Sequence, residues 1–124
     1  MNTDLRLRED ELVLQGETYL GRRTMEPYSG PIVKYYSAGG RKVYHSFTLR
    51  NGKIDGLYER YFMLGELSRK ENYTDGRLDG PFETHYSSGQ LQERGTHTDG
   101  ERCSEWIMDV DGKTRPYPPC PPGN

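Results

Sequence analysis

Apolar and aromatic side chains alternate with polar ones along most of the chain, in short runs that end at Asn-Gly or Asp-Gly pairs. A period of two is typical of β-strands, whose successive side chains point to opposite faces of a sheet. Asn-Gly and Asp-Gly are strong signals for a two-residue hairpin turn, because both central residues of that turn need positive φ. The pattern therefore predicts a series of β-hairpins.

The turn pairs recur every 24 residues, and the sequence around them recurs as well. Units begin near residues 30, 56, 80 and 104, each with a leading glycine except the last, which has serine. A sustained period of this size is typical of repeat architectures. We predict an all-β fold, an elongated single antiparallel β-meander of about eight strands built from successive hairpins. The structural turns are Asn51-Gly52, Asp75-Gly76 and Asp99-Gly100.

A two-residue turn also predicts the register of each hairpin. Around Asp75-Gly76 it pairs Thr74 with Arg77 and, further along, Arg69 with Phe82. The same construction around Asn51-Gly52 pairs His45 with Tyr58. Large residues would then face glycines or aliphatic residues across the strands, which stabilises paired positions in a sheet.

The period of two assigns the side chains to two faces. The predicted core face carries Ile32, Tyr36, Leu49, Ile54, Tyr58, Phe62, Tyr73, Leu78, Phe82, Tyr86, Trp106 and Val110. The opposite face, called the outer face below, is predicted to carry Val33, Tyr35, Tyr44, Glu59, Tyr61, Glu83, His85, Ile107 and Asp109.

Composition changes the picture in one respect, because the chain is poor in core residues. Hydrophobic residues make up 31% and the mean hydropathy is −1.00. A net charge of −2 and ten tyrosines still favour an ordered β-structure over disorder. A single sheet buries little apolar area, so we expect stability to depend on flanking segments, dimerisation or a partner.

Charge and cysteine content bound the environment and the partners. A nearly neutral chain offers no general attraction to nucleic acid or to an anionic membrane. No apolar run reaches membrane-spanning length, and the N-terminus lacks the apolar stretch of a signal peptide, so we expect a cytoplasmic protein. In that reducing compartment Cys103 and Cys120 are expected to be free thiols.

The two ends of the chain depart from the repeat. Residues 1–27 are predicted to form a capping segment, with strand signals at 5–8 and 11–15 that could pair as a hairpin over the sheet edge. A short helix is the alternative for residues 9–15. Residues 28–115 hold the hairpin repeats. Residues 116–124 form a proline-rich tail that we expect to be extended or disordered, and inert rather than packed on an aromatic surface.

No pattern in the chain indicates catalysis. His45, His85 and His97 lack the acidic or cysteine neighbours of a metal site. Ser87, His85 and Asp99 could form a triad on paper, but no nucleophile elbow accompanies them. The glycines punctuate strands and do not precede a helix, so they do not form a phosphate-binding loop. We therefore expect a protein that is not an enzyme and has no cofactor and no metal.

The tyrosines of the outer face are the most informative functional signal. Tyrosine is enriched at binding surfaces because its ring gives large contact area and its hydroxyl a polar tip. We assign partner binding to Tyr35, Tyr44, Tyr61, His85, Glu59 and Glu83. Glu59 and Glu83, together with the flanking Glu66, would make the surface mildly acidic and suit a partner with a basic patch. The alternative is that these rings only pack on one another or on the terminal segments.

The motif of glycine, aromatic residue, tyrosine and Asp-Gly resembles the MORN repeat variant of many bacterial proteins, including the YwqK-type antitoxin family of toxin–antitoxin systems. The resemblance covers roughly residues 28–115 and is best from Gly56 to Asp79 and from Gly80 to Cys103. It implies an antitoxin or immunity-like module that binds a partner protein, such as a toxin, and covers its functional surface.

Two other functions stay open beside the antitoxin. One is a generic scaffold or homo-dimerising module that uses its end strands for edge pairing. The other is the lipid-headgroup binding suggested for eukaryotic MORN proteins, which the absence of a basic cluster in the sequence disfavours.

Overall fold

The computed structural model describes residues 6–108 and 112–122, and these form an all-β fold of thirteen strands with one three-residue 3-10 helix, Glu9–Glu11. The predicted all-β class is confirmed. The strands are β1 Leu7–Arg8, β2 Leu12–Gln15, β3 Thr18–Gly21, β4 Gly30–Tyr35, β5 Val43–Arg50, β6 Lys53–Ile54, β7 Gly56–Tyr61, β8 Leu67–Thr74, β9 Arg77–Leu78, β10 Gly80–His85, β11 Leu91–Thr98, β12 Glu101–Met108 and β13 Lys113–Pro116.

Eleven of the strands belong to one long sheet, in the order β1-β4-β5-β7-β8-β10-β11-β12-β13, with β6 beside β5 and β9 beside β8. From β4 onward this path is the predicted antiparallel meander. Strand β1 lies parallel to β4 at the first edge. Strands β2 and β3 form a separate two-stranded sheet. Among the described residues, no helix has the length and apolar character needed to cross a membrane.

The three predicted turns have the expected backbone. Both residues of every pair have positive φ, near 50° at the Asn or Asp and between 81° and 89° at the glycine. Hydrogen bonds also join each turn to the preceding unit, through a side-chain oxygen that accepts from the backbone nitrogen of the first turn residue. These bonds run from Asn51 to Ser29 Oγ (2.8 Å), from Asp75 to Asp55 Oδ1 (3.1 Å) and from Asp99 to Asp79 Oδ1 (3.3 Å).

The register beyond each turn differs from the prediction by two residues. Arg69 pairs with Thr84 instead of Phe82, and His45 pairs with Arg60 instead of Tyr58. The shift occurs where the leading glycines Gly56 and Gly80 adopt φ values of 95° and 112°. A shift of two keeps every side chain on its face, because the side-chain period of a strand is also two.

A second irregularity, which the sequence pattern did not predict, is a β-bulge in each of three strand pairs. It lies near the far end of the hairpins, the end opposite the Asn-Gly and Asp-Gly turns. The register shifts between Lys34 and Tyr35, between Arg60 and Tyr61, and between Thr84 and His85. The extra residues are Tyr44, Ser68 and Gln92, again 24 residues apart. A bulge leaves one residue unpaired and bends the strand, so it redirects neighbouring side chains.

The core lies on the predicted face and forms two clusters. Tyr58, Phe82 and Trp106 are buried, as predicted, and Trp106 is completely inaccessible. The first cluster is covered by the β2–β3 hairpin, which contributes Leu12 and Tyr19. In this cluster the residues are Leu12, Ile32, Phe47, Leu49 and Tyr58. In the second, the ring of Phe82 contacts those of His97 and Trp106 at centroid distances of 5.0 and 5.3 Å.

The N-terminal segment forms strands, but not the predicted hairpin. Leu7 and Arg8 pair with Ile32 and Val33 of the meander, and the 3-10 helix follows directly. Strand β2 pairs with β3, which the sequence interpretation did not foresee. The segment therefore covers both an edge and part of the core face, because Leu7 packs against the first cluster.

The cysteine and tail predictions are corrected at the other end. Cys103 and Cys120 are joined in a disulfide instead of being free thiols. Tyr117 donates its backbone N–H to the carbonyl of Ser104, and its ring lies 6.2 Å from that of Trp106. Residues 116–122 of the tail are extended, as expected, but this segment packs on the aromatic ring of Trp106 and is not inert. Residues 109–111, with the predicted positions of Asp109 and Val110, lie outside the described residues.

Candidate functional site

The outer face carries one unbroken row of residues paired across the sheet. Glu59 faces Lys70, Lys70 faces Glu83, and Glu83 faces Arg94. The expected mildly acidic character is therefore wrong at Glu59 and Glu83, because each of them has a cation directly across from it on a neighbouring strand. The full row runs Arg8, Val33, Ser46, Glu59, Lys70, Glu83, Arg94, Ile107 and Thr114. Val33 is fully buried there, so the open part of the row begins beyond it.

Three of the four predicted ring residues form a second row beside the first. Tyr35, Tyr61 and His85 are half-buried, and each ends its strand immediately after a bulge. Their cross-strand partners are all aliphatic: Val43, Leu67 and Leu91. The strand ends therefore bring aromatic and aliphatic surface together on the outer face, which the repeat spacing indicated only for the rings.

Neighbouring charges hold these rings in place. The guanidinium carbon of Arg8 lies 4.9 Å from the centre of the Tyr35 ring. His85 Nε2 lies 3.7 Å from Glu83 Oε1. Burial raises the pKa of Tyr61, and the Glu59 carboxylate raises that pKa further by its charge and by a hydrogen bond. The Tyr61 hydroxyl therefore stays protonated at neutral pH and can donate a hydrogen bond.

Tyr44 does not join the row. It is the extra residue of the first bulge, and its ring lies edge-on to Tyr36 at 5.2 Å. Lys34 Nζ and the Arg60 guanidinium carbon approach the same ring to 5.5 and 5.3 Å. Those neighbours belong to the core side, so the assignment of Tyr44 to the outer face is corrected. Simple alternation fails at a bulge, where two residues oppose one.

On the core side a chain of polar side chains links the N-terminal segment to the sheet. Glu9 Oε2 lies 2.9 Å from His45 Nε2, and His45 Nδ1 lies 2.7 Å from the Tyr58 hydroxyl. The same hydroxyl accepts from Arg60 Nη2 at 3.1 Å. The hydrogen bond to His45 lowers the pKa of Glu9, while burial opposes it. No repeat signal marks Glu9, because it lies in the 3-10 helix outside the repeats.

This arrangement predicts a specific acid sensitivity. A carboxyl group whose pKa is lowered by folding stabilises the protein above its unfolded pKa, near 4.5, and that stabilisation is lost as the pH falls through the lowered value. We expect Glu9→Gln to be less stable than wild type at neutral pH, with the difference shrinking below pH 4.5. Urea denaturation across this pH range measures it.

The exposed Glu17 provides a matched control, since Glu17→Gln removes the same charge from the same segment. It should leave the pH dependence of unfolding close to that of wild type. A Glu9→Gln curve parallel to the wild-type curve would show that the contact with His45 adds no pH-dependent stability.

A buried carboxyl group, that of Glu71, lies between the two core clusters. Glu71 is 4% exposed, and burial raises its pKa against the opposing charge of Arg69, whose Nη1 lies 3.7 Å from Glu71 Oε2. Burial and Glu71 together raise the pKa of Tyr73 to about 12. The partners of this carboxyl group are thus the Arg69 guanidinium and the Tyr73 hydroxyl.

The residues considered for chemistry are not assembled into a site. His85 ends β10, whereas Asp99 follows β11 at the opposite end of the hairpin, so the two are separated by the length of that strand. His45 and His97 are on the core side and His85 is on the outer face. Within residues 6–108 and 112–122, no group of three His, Cys, Asp or Glu side chains is placed to hold a metal ion.

Comparison of the chain with protein-family models, with curated proteins and with solved structures finds no match. The resemblance to the MORN repeat variant therefore depends on the repeat motif itself.

Proposed function

We propose that this chain is a non-catalytic protein-binding repeat module of the MORN-like type, and that it acts as an antitoxin or immunity-like protein that covers the functional surface of a partner. The observation that carries the proposal is the open part of the outer face, where a charged row and a ring row run side by side across the sheet. The partner's class, a toxin, comes from the resemblance.

The physical argument is that the outer face combines contact area with a fixed order of charges. Half-buried Tyr61 and His85 offer ring surface at low cost in side-chain entropy. The alternation of Glu59, Lys70, Glu83 and Arg94 favours a partner with the complementary order of charges, which contributes more to specificity than to affinity. The rigid sheet holds both rows in one geometry, so little ordering is needed on binding.

The homo-dimer alternative has one structural feature in its favour, the terminal strand β13. It pairs on one side with β12, and all four of its residues are exposed. However, Lys113, Arg115 and Pro116 are residue types that natural proteins place on edges to prevent strand pairing. Edge pairing is therefore the second candidate, and lipid-headgroup binding is not proposed.

The location is also a proposal. The cytoplasm is expected from the sequence, whereas the Cys103–Cys120 disulfide favours an oxidising compartment, where such bonds persist. We propose that the module meets its partner in an oxidising compartment, where the Cys103–Cys120 disulfide is intact.

Restoration of growth in cells that express a toxic product of a neighbouring gene tests the function directly. We expect the product of an adjacent gene to stop growth when expressed alone and this chain to restore it. Tyr61→Ala should weaken binding at least about tenfold, as loss of a central aromatic contact does, without altering the fold. Titration calorimetry and circular dichroism measure the two effects.

Arg77→Ala is the control for this experiment, since Arg77 is exposed beside the hairpin turns, away from both rows. It should restore growth as well as wild type does. If no neighbouring product is toxic, the antitoxin proposal fails. If Tyr61→Ala and Glu83→Ala both bind like wild type, the partner uses another surface.

A further inference from the structure

A cavity of about 370 Å³ opens at the far end of the hairpins, between the loop that joins β4 to β5 and the turn that joins β7 to β8. Its apolar wall is formed by Tyr61, Phe62, Met63 and Leu64, and its rim carries Arg41 and Lys42. Tyr61 also belongs to the ring row of the outer face. The cavity is therefore continuous with the surface proposed above for partner binding.

The turn that joins β7 to β8 has an internal counterpart in the turn that joins β10 to β11. The backbone N–H of Gly65 donates to the Phe62 carbonyl at 2.9 Å, and that of Gly89 donates to the Tyr86 carbonyl at 2.9 Å. The glycine φ values are similar, 102° and 92°. Between these shared positions one turn has Met63-Leu64 and the other has Ser87-Ser88.

The counterpart shows that this turn does not need apolar residues. Two serines form the same turn with the same backbone hydrogen bonds, yet Leu64 is 85% exposed and Met63 is 56% exposed. Methionine is enriched in the cores of protein interfaces and adapts its shape to a partner. Met63 and Leu64 are therefore available to pack against another molecule.

The cations at the rim of the cavity indicate which chemical groups that molecule carries. Arg41 and Lys42 are exposed, and neither forms an ion pair with any residue that the structure describes. They lie in the first unit, which is two residues longer than the units that begin at 56 and 80. The cations are thus placed beside the apolar wall, and together they complement a ligand with one large apolar group and nearby carboxylates.

We propose that this cavity binds a protein segment of the partner that inserts one large apolar side chain against Met63 and Leu64 while flanking carboxylates meet Arg41 and Lys42. The proposal rests on the proposed function, since it names the chemistry that the partner brings to the end of the outer face. A protein segment is favoured over an anionic membrane because the chain has a net charge of −2 and each cation near a membrane contributes only about 1 kcal/mol.

A random nine-residue peptide library, selected on the full chain, tests the proposal. We expect enriched peptides to carry a large apolar residue with aspartate or glutamate nearby. Met63→Ser/Leu64→Ser copies the counterpart turn and should reduce binding of these peptides at least tenfold while keeping the fold. Arg41→Glu/Lys42→Glu should reduce it similarly and remove the preference for acidic peptides. Ser87→Ala/Ser88→Ala is the matched control and should bind like wild type.

Enrichment of basic peptides, absence of enrichment, or equal binding to the Met63→Ser/Leu64→Ser variant would overturn the proposal. So would binding to vesicles containing phosphatidylserine that this variant loses, because the apolar wall would then serve a membrane. The growth experiment separates the two proposals. If a variant that no longer binds the peptides still restores growth, only the peptide-binding proposal is contradicted. If the chain binds acidic peptides but no neighbouring gene product is toxic, only the antitoxin proposal is contradicted.

Discussion

Phe82→Ala is expected to lower the free energy of unfolding by about 3–5 kcal/mol, the usual cost of removing a fully packed aromatic ring. Phe82 is 7% exposed, and its ring contacts those of His97 and Trp106. The Arg69 guanidinium lies over the same ring at 5.6 Å. Truncation would therefore leave a cavity between His97, Trp106 and Arg69, because the strands of the sheet hold these residues too far apart to fill it. Urea denaturation followed by circular dichroism measures the loss.

Leu57→Ala is the control, because Leu57 is an apolar residue in the preceding unit that is 41% exposed. We expect it to cost less than about 1 kcal/mol, as is usual for partly exposed surface positions. If Leu57→Ala were the more destabilising change, the assignment of the two faces would be reversed.

The success of the face assignment has a specific physical reason. The turns were predictable because Asn or Asp followed by Gly meets the need for two positive φ values. The register was wrong by two residues at Gly56 and Gly80, where positive φ lets the strand slip. An even slip does not exchange the faces, so Tyr58 and Phe82 are buried as predicted.

The features that were not predictable depend on contacts between distant parts of the chain. Tyr44 lies on the core side because a bulge interrupts the alternation, and no residue type at this position marks a bulge. Glu9 reaches His45 from a segment that lacks the repeat. The pairing of charges on the outer face could not be predicted without the actual register. Lys70 faces both Glu59 and Glu83 only when the two-residue register shift is taken into account.

The disulfide was missed although the repeat contained a hint of it. Asp55 and Asp79 occupy equivalent positions, and each accepts a hydrogen bond from the backbone N–H of the first turn residue of the following unit. Twenty-four residues further, where no other hairpin turn of this kind follows among the described residues, Cys103 takes the place of aspartate. The unit that begins at residue 80 thus replaces a hydrogen bond to the next unit with a covalent bond to the tail. Ser104 reinforces it, since its N–H donates to the Pro118 carbonyl at 2.8 Å.

Reduction of the Cys103–Cys120 disulfide is expected to lower the free energy of unfolding by about 3 kcal/mol, because the two cysteines are 17 residues apart in sequence and a loop of that size loses its closure when the bond breaks. After reduction only the backbone hydrogen bonds to Ser104 and the contact of Tyr117 with Trp106 would hold the tail, and these are too weak to keep it packed without the covalent link. Urea denaturation with and without reductant measures the difference.

Trp106 reports the same event locally, because it is the single tryptophan of the chain and is completely buried. Its ring lies between the Arg102 guanidinium, at 4.2 Å, and Tyr117 of the tail. We expect its emission to shift to longer wavelength on reduction, as release of the tail admits water. Cys103→Ala/Cys120→Ala should be as unstable as the reduced protein and insensitive to reductant. If reductant changed neither the unfolding free energy nor the emission of wild type, the tail would be held by its non-covalent contacts alone.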